Sequence, residues 1–470
     1  MFRIIYEKEL RDIFTSLKFL TTFLICSALI VLSFYVGIQN YKLWDTRYQA
    51  QVSENERQMS ALTDWSRINH SIYMPPQLLA SLVNGISNDV GQTISIRGVG
   101  ELKAVDSQFQ ENPLFAVFRF LDLEFIFQVI MSLFAVLFAY NAINGEKETG
   151  TLRLTFANPV PKHIYILSKL LGYLTAIIIP LTLPVLLGYL LLFTSGISIS
   201  SDEWIRLSVI IMVGFIFFSV FLTLSVFVSS LTEKSSSSFL ILLVIWIFSV
   251  LIIPRTSVLL AGSMVDVPSV DEIAAKKAKN NSQLWKEDMS KLNGFKPSGE
   301  DPQQALKAFQ QYMQKIGAER NQKQLEYASK LNEGRSNKQK EQENLAFGIS
   351  RISPASAFSL SVMSLAGTSL KLQNQYLESA SAYQESFRNF IQEKTGSANA
   401  LGGAFMIRVG GPNEQDKKKI DPKELPKFEF MKPELSSLFD DSIWDIGLLV
   451  LFNLIFFLGS YISFLRYDVR

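Results

Sequence analysis

The stretch Asn144-Gly145-Glu146-Lys147-Glu148-Thr149-Gly150-Thr151-Leu152-Arg153 is a short charged segment between two long apolar runs. The run before it, 125–143, carries no charge, and neither does the run after it, 170–193. About twenty uncharged residues at helical rise cross a bilayer. Two such runs separated by a charged turn form a pair of membrane helices with the turn held at the surface. Working outward, four more runs of this kind complete an all-α polytopic membrane fold with six transmembrane helices.

The predicted spans are residues 19–38, 123–143, 170–193, 207–231, 235–254 and 446–465. The charged segment and its continuation through Pro159-Val160-Pro161-Lys162 to Lys169 occupy 144–169. Residues 1–18 read as an amphipathic helix. Phe2, Tyr6, Leu10, Ile13 and Leu17 recur at helical spacing, and Arg3, Glu7, Arg11 and Lys18 line the other side. Such a helix lies in an interface, either of lipid or of a partner protein.

Two segments are long enough to fold outside the membrane. Residues 39–122 predict a small mixed lobe, with helical patterning over 45–59 and a Gly-bounded hairpin over 91–100. Residues 255–442 predict a larger, mostly helical domain. Ser269 with Glu272 is a capping pattern, and Asp301-Pro302 starts a second helix. Leu306, Phe309, Met313 and Ile316 form one apolar stripe; Tyr376, Tyr383, Phe387 and Phe390 form another. The two stripes are expected to pack as an antiparallel pair. Residues 346–370, rich in Ser and Ala, are expected to dip into the membrane surface or line the base of this domain, and 400–433 read as loop. Pro180 and Pro184 fall inside the third span, where each removes a backbone donor. They predict either a passive bend or a hinge.

Composition narrows the function. Hydrophobic residues make up 48% of the chain and the net charge is only +2, which gives no reason to expect a nucleic-acid partner. One cysteine and two histidines make a zinc or haem site an unpromising expectation. Gly145 to Gly150 has the glycine spacing of a phosphate loop, but Thr151 stands where the lysine belongs, so no ATP hydrolysis is expected from this chain by itself. The spans as drawn lack the ionisable groups that ion-coupled transporters place near the midplane. Lys and Arg concentrate at 3–18, 147–169, 234 and 466–470, which predicts that these segments and both termini are cytoplasmic. The long domain is then expected on the side away from the cytoplasm.

Glu146-Lys147-Glu148-Thr149-Gly150-Thr151-Leu152, then Asn158-Pro159-Val160, then Lys169, resembles the signature of type-2 ABC exporter permeases. The six-span order, the N-terminal helix and the final Arg466-Tyr467-Asp468-Val469-Arg470 fit the same resemblance. The large insert before the sixth span is similar to that of permeases near the gliding-motility and nitrous-oxide-reductase maturation exporters, a resemblance that implies a bacterial inner membrane and a periplasmic large domain. The resemblance implies a complex with two cytoplasmic ATPase subunits, which hold the ATP and Mg, and a second permease, identical or paralogous. It implies that Glu146 to Leu152 form a coupling helix seated on the ATPase. Arg3, Tyr6, Glu7, Leu10 and Arg11 would then belong to an interface helix beside it. Glu146 and Glu148 are expected to pair with the motor or with Arg3, Lys8 or Arg11, or simply to solvate a short loop.

Two functions follow as expectations. In one, the chain is an exporter permease moving a lipid, a peptide or another amphipathic compound. In the other, it transmits motion to a periplasmic partner without moving a solute.

Overall fold

The computed structural model describes residues 1–62, 70–87, 91–96, 102, 104–105, 122–295, 302–395 and 421–467. Asp301, residues 97–100 of the predicted hairpin, most of the predicted 400–433 loop and residues 468–470 lie outside the described residues. The chain is an all-α polytopic membrane protein: among the described residues six helices are long and apolar enough to cross a bilayer.

Helix α1 (Phe2–Phe14) precedes α2 (Leu17–Ser60). Ser16 caps α2, its hydroxyl accepting from Phe19 N at 3.1 Å. The first span and the helical stretch expected at 45–59 are one unbroken helix of 44 residues. A three-stranded antiparallel sheet follows, of β1 (His70–Tyr73), β2 (Thr93–Ile96) and β3 (Ala104–Val105), with α3 (Leu78–Leu82) between the first two strands. The second span comprises α4 (Leu123–Phe125), a π-helical turn (Ile126–Met131) and α5 (Ser132–Ala139).

After the charged segment, α8 (Lys162–Thr194) makes the third span, and α9 (Ser201–Leu231) the fourth. Here α9 starts earlier than expected, because Ser200 and Glu203 close a reciprocal capping box. The fifth span is α10 (Ser235–Trp246), a second π-helical turn (Ile247–Ile252) and α11 (Ile253–Met264). Beyond it come α12 (Val270–Asn293), α13 (Pro302–Ser350), α14 (Pro354–Ala366), α15 (Lys371–Thr395) and α16 (Leu435–Arg466), the sixth span.

The stripes on α13 and α15 do not pair. α13 packs on α12 instead, where Arg320 binds Asp288 at 3.0 Å and lies 3.9 Å over the Trp285 ring. The stripe on α15 covers the sheet: Tyr376, Tyr383 and Phe387 share a core with Met59 of α2 and with Ile72, Ile94 and Ile96 of the strands. The physical reason is partner quality. A β-branched sheet face offers rings a larger flat surface than α13, whose other positions are Gln, Lys and Glu.

α14 is the Ser- and Ala-rich stretch. All of it except Leu360 is buried, packed between α9 and α16. Its start is held by the two π-helical turns. Gln128 Nε2 donates to Ala355 O at 3.3 Å, and Ser353 Oγ donates to Ser249 O at 2.6 Å. A π-turn widens the helix and frees a carbonyl from the ordinary ladder, which is how a neighbouring side chain finds an acceptor there.

Candidate functional site

The charged segment folds as a corner. α6 (Asn144–Glu148) and α7 (Thr151–Phe156) meet at Gly150, whose φ is +74°. Only glycine adopts that conformation without strain, so one helix over 146–152 is excluded and two short helices form instead. Leu152, 2% exposed, anchors α7 to the core. The outer rim of the corner, Glu148, Thr149, Gly150, Thr151 and Arg153, is exposed, and Leu154 is 71% exposed.

Beneath that rim lies a knot of buried charge. Lys169 Nζ lies 3.0 Å from Glu9 Oε1, 3.2 Å from Glu146 Oε1 and 2.6 Å from Ala142 O. Lys8 Nζ reaches Glu146 Oε1 at 2.7 Å, and the Tyr165 hydroxyl donates to Glu146 Oε2 at 2.5 Å. The Lys169 and Glu9 side chains are 3% and 6% exposed. Two ammonium groups thus balance two carboxylates: Lys169 and Glu9 are nearly dry, while Glu146 lies at the edge and Lys8 is about half exposed. Charges taken out of water are held only if paired and hydrogen-bonded, and removing one partner leaves the rest uncompensated. The knot joins α1, α6 and α8, and through Ala142 it reaches the end of the second span.

Close approach of α1 makes this geometry reachable. Gly172 of α8 faces Glu9, and a Cβ added there would lie 2.9 Å from the Glu9 Cβ. A second polar contact, Tyr6 OH to Thr175 Oγ1 at 2.9 Å, holds the same pair of helices.

The far side of the corner is fixed to the remaining spans. Lys147 Nζ donates to Ser230 O at 2.7 Å and Thr232 O at 3.1 Å, and sits 4.3 Å over the Tyr467 ring. Those carbonyls end α9, where a cation is favourable. Glu148 accepts from Ser235 N at 2.9 Å and Ser235 Oγ at 2.7 Å, and so caps α10 from another segment. Ser229 Oγ accepts from Ile143 N and Asn144 N. Lys162 Nζ donates to Leu465 O and Tyr467 O at the end of α16.

The residues expected in the interface helix divide. Tyr6 contacts α8, and Leu10 packs against the core. Arg3 pairs with Glu7 at 2.6 Å on the exposed side instead of reaching Glu146. Arg11 is exposed as well. Of the three basic residues considered, Lys8 is the one that binds Glu146. The buried row is Ile5, Glu9 and Ile13, not the row through Phe2, which is 37% exposed. Glu9 was missed. Its signal was a carboxylate at i+4 from one isoleucine and i−4 from another, with Lys169 heading an uncharged run as its natural partner.

Pro180 and Pro184 lie inside α8, which is helical on both sides of each; Pro184 is buried. Among the described residues no group of three or more His, Cys, Asp or Glu is placed to hold a metal ion. Chemically, this end of the bundle offers an electrostatic lock with an exposed rim.

A comparison with curated proteins finds no match. A profile of the family described as ABC-2 family transporter protein matches residues 3–469. Members of this family are membrane components that associate with an ABC ATPase subunit. With six spanning helices and a family match over almost its whole length, the chain belongs to the ABC-2 transporter family as a multi-pass permease subunit.

Proposed function

We propose that this chain is the membrane-spanning part of an ATP-driven exporter in a bacterial inner membrane, and that the α6–α7 corner receives the stroke of the ATPase. The observation that carries the reading is the buried Lys169–Glu146–Glu9 knot under an exposed rim. A rigid-body motion passes only through packed elements that move together. A push on Thr149 to Leu154 meets a corner tied to α1, α8, α9, α10 and α16, so it moves the spans and not a loose loop. On this reading the α1 end is cytoplasmic, as the Lys and Arg distribution predicts. Two ATPase subunits bind ATP and Mg, and a second permease completes the complex. Pro180 and Pro184 supply a hinge in α8 below the knot. The cargo is an amphipathic compound such as a lipid or peptide.

The test reconstitutes the chain with its ATPase and compares Arg153→Glu with Lys169→Met. The first is expected to abolish ATPase association with the fold intact. The second is expected to keep association while separating ATP turnover from transport. Normal transport-linked turnover in both, or labelling of Thr151→Cys by an impermeant reagent from the outer side, would overturn the reading.

A second reading rests on α12 and α13, 24 and 49 residues long. Trp285 and Met289 on α12, with Leu306 and Phe309 on α13, stay 40% or more exposed. Such a hairpin can transmit motion to a periplasmic partner without a solute. Transport retained after deletion of the hairpin would remove this alternative.

A further inference from the structure

Helices α12 and α13 pack as an antiparallel hairpin whose two open faces differ. Arg320 on Asp288, and Lys277 Nζ donating to Asn332 Oδ1 at 2.8 Å, fix the register of the pair. One face carries ion pairs, Lys291 with Glu319 at 3.6 Å and Lys323 with Glu287 at 3.8 Å. The other face is uncharged. At steps of three and four residues it presents Ala274, Ala278, Asn281, Trp285 and Met289 of α12, and Leu306, Gln310, Met313, Gly317, Asn321 and Leu325 of α13. Trp285, Met289, Leu306, Met313 and Leu325 are 43% to 59% exposed. An apolar stripe of this kind marks a surface that something covers. Gly317 adds a second sign. It lies inside α13, where glycine costs helix stability relative to alanine. A Cβ added there would meet nothing within 4 Å, so no described neighbour requires it. What glycine supplies at that point is room for another backbone to come close.

We infer that this face is where two copies of the chain meet, hairpin against hairpin, with Gly317 at the closest approach. A face that matches itself must not set like charges against each other, because in a two-fold contact each side chain near the axis meets its own copy. This face meets that condition over both helices. A charged partner or an anionic lipid surface would be drawn to lysines, and Lys279, Lys286 and Lys315 lie at other helical phases. The size also fits. The 24 residues of α12 make a strip about 36 Å long, and two helices make it about 20 Å wide. That is about 700 Å² per copy, close to the roughly 800 Å² per partner of a standard interface. The inference rests on the reading of the chain as one of two permeases in a complex, and it makes the second one identical. Two permeases held together keep their hairpins at high effective concentration, so even a modest contact forms.

The experiment uses the full chain in neutral detergent, with Cys26→Ala as background. Met289→Cys and Met313→Cys place a thiol on the uncharged face, and Lys315→Cys places one off it. With a short bismaleimide, the first two are expected to give covalent dimers and the third only monomer. Gly317→Leu, added to Met313→Cys, should cut the dimer yield about tenfold, the effect of a modest overpacking. The thermal midpoint should not fall, because a single copy has space for the side chain. Met289→Lys, which sets like charges face to face, should lower the yield in the same way and keeps the test alive if Gly317→Leu unfolds. Monomer alone at Met289→Cys and Met313→Cys, equal yields on and off the face, or a yield that neither Gly317→Leu nor Met289→Lys moves would overturn the interface. So would protection of the Met313→Cys thiol from a soluble maleimide that persists in vesicles of the Gly317→Leu chain, since a bilayer would then cover the face. Lys169→Met should leave the cross-link unchanged, and Gly317→Leu should leave ATPase association unchanged. Failure of this interface and failure of ATPase coupling are thereby told apart.

Discussion

The α1 end and the lobe formed by the sheet and α15 are both places where distant parts of the chain meet, but they are joined by opposite means. At the α1 end, α1, α6 and α8 converge on Lys169, Glu9, Glu146 and Lys8. In the lobe, α2, the sheet and α15 converge on Met59, Ile72, Ile94, Tyr376 and Phe387. Even the polar groups of the lobe core are neutral: His70 sits between Tyr383 OH at 2.9 Å and Asn55 Nδ2 at 3.0 Å, stacked on Phe387. An apolar core yields gradually, because rings repack when one is trimmed. The buried Lys169–Glu9 pair has no partial state, since each is tolerable only while the other is present. The stiff, all-or-none joint sits where a motor is proposed to push. The adaptable joint sits at the other end.

The sharpest way to break this contrast is Lys169→Met. It strands the buried Glu9 carboxylate and leaves Glu146 with Lys8 alone, and should cost about 3–5 kcal/mol, read as a large drop in thermal midpoint in detergent. Adding Glu9→Gln and Glu146→Gln should recover most of that loss. A single variant as stable as the parent would mean that the charges are not dry. Next is Phe387→Ala, expected to cost about 3 kcal/mol. Its effect should stay local, with faster amide exchange in α15 and β2 and unchanged exchange in α1; loss of protection in both regions would merge the two joints into one cooperative unit.

Third in size is the response of the lobe to acid. Burial lowers His70 to about 4, against about 6.5 in an unfolded chain. Between those values the unfolded chain binds a proton that the folded lobe refuses. Lobe stability is therefore complete above pH 6.5, falls as the pH drops toward 4, and then levels. The two values bound the loss at about 3 kcal/mol, and the partial exposure of His70 brings it nearer 2. His70→Gln should flatten this slope, and an unchanged slope would assign it to other groups. The smallest effect on stability belongs to Leu154→Ser at the exposed rim, within about 0.5 kcal/mol. Its consequence should appear in ATPase association, and unaltered association would move the contact surface elsewhere on the corner.

The spans and the place of the charged segment between them were legible because charge and apolar length are local properties of sequence; its break into two helices at Gly150 was not. Residues 144–153 between two uncharged runs leave little freedom. What escaped reading depends on which neighbour arrives. Glu9 reaches Lys169 only because Gly172 admits α1 to α8. The stripe on α15 matched that on α13 in spacing, yet spacing carries no information about a better partner, and the sheet won. The π-helical turns at 126–131 and 247–252 reflect packing against α14, which no one-dimensional pattern encodes.

The length of α2 has a mechanical consequence. Forty-four residues without a break make a shaft of about 66 Å at helical rise. Its N-terminal part packs on α8, and its C-terminal part is joined to β1. If such a shaft tilts by about 5° about its N-terminal end, its far tip sweeps about 6 Å, by the same helical rise. A displacement too small to open anything near the corner then becomes, at the lobe, a movement larger than a water molecule. On the proposed reading, α2 is a lever arm pivoted at the end where the motor would act.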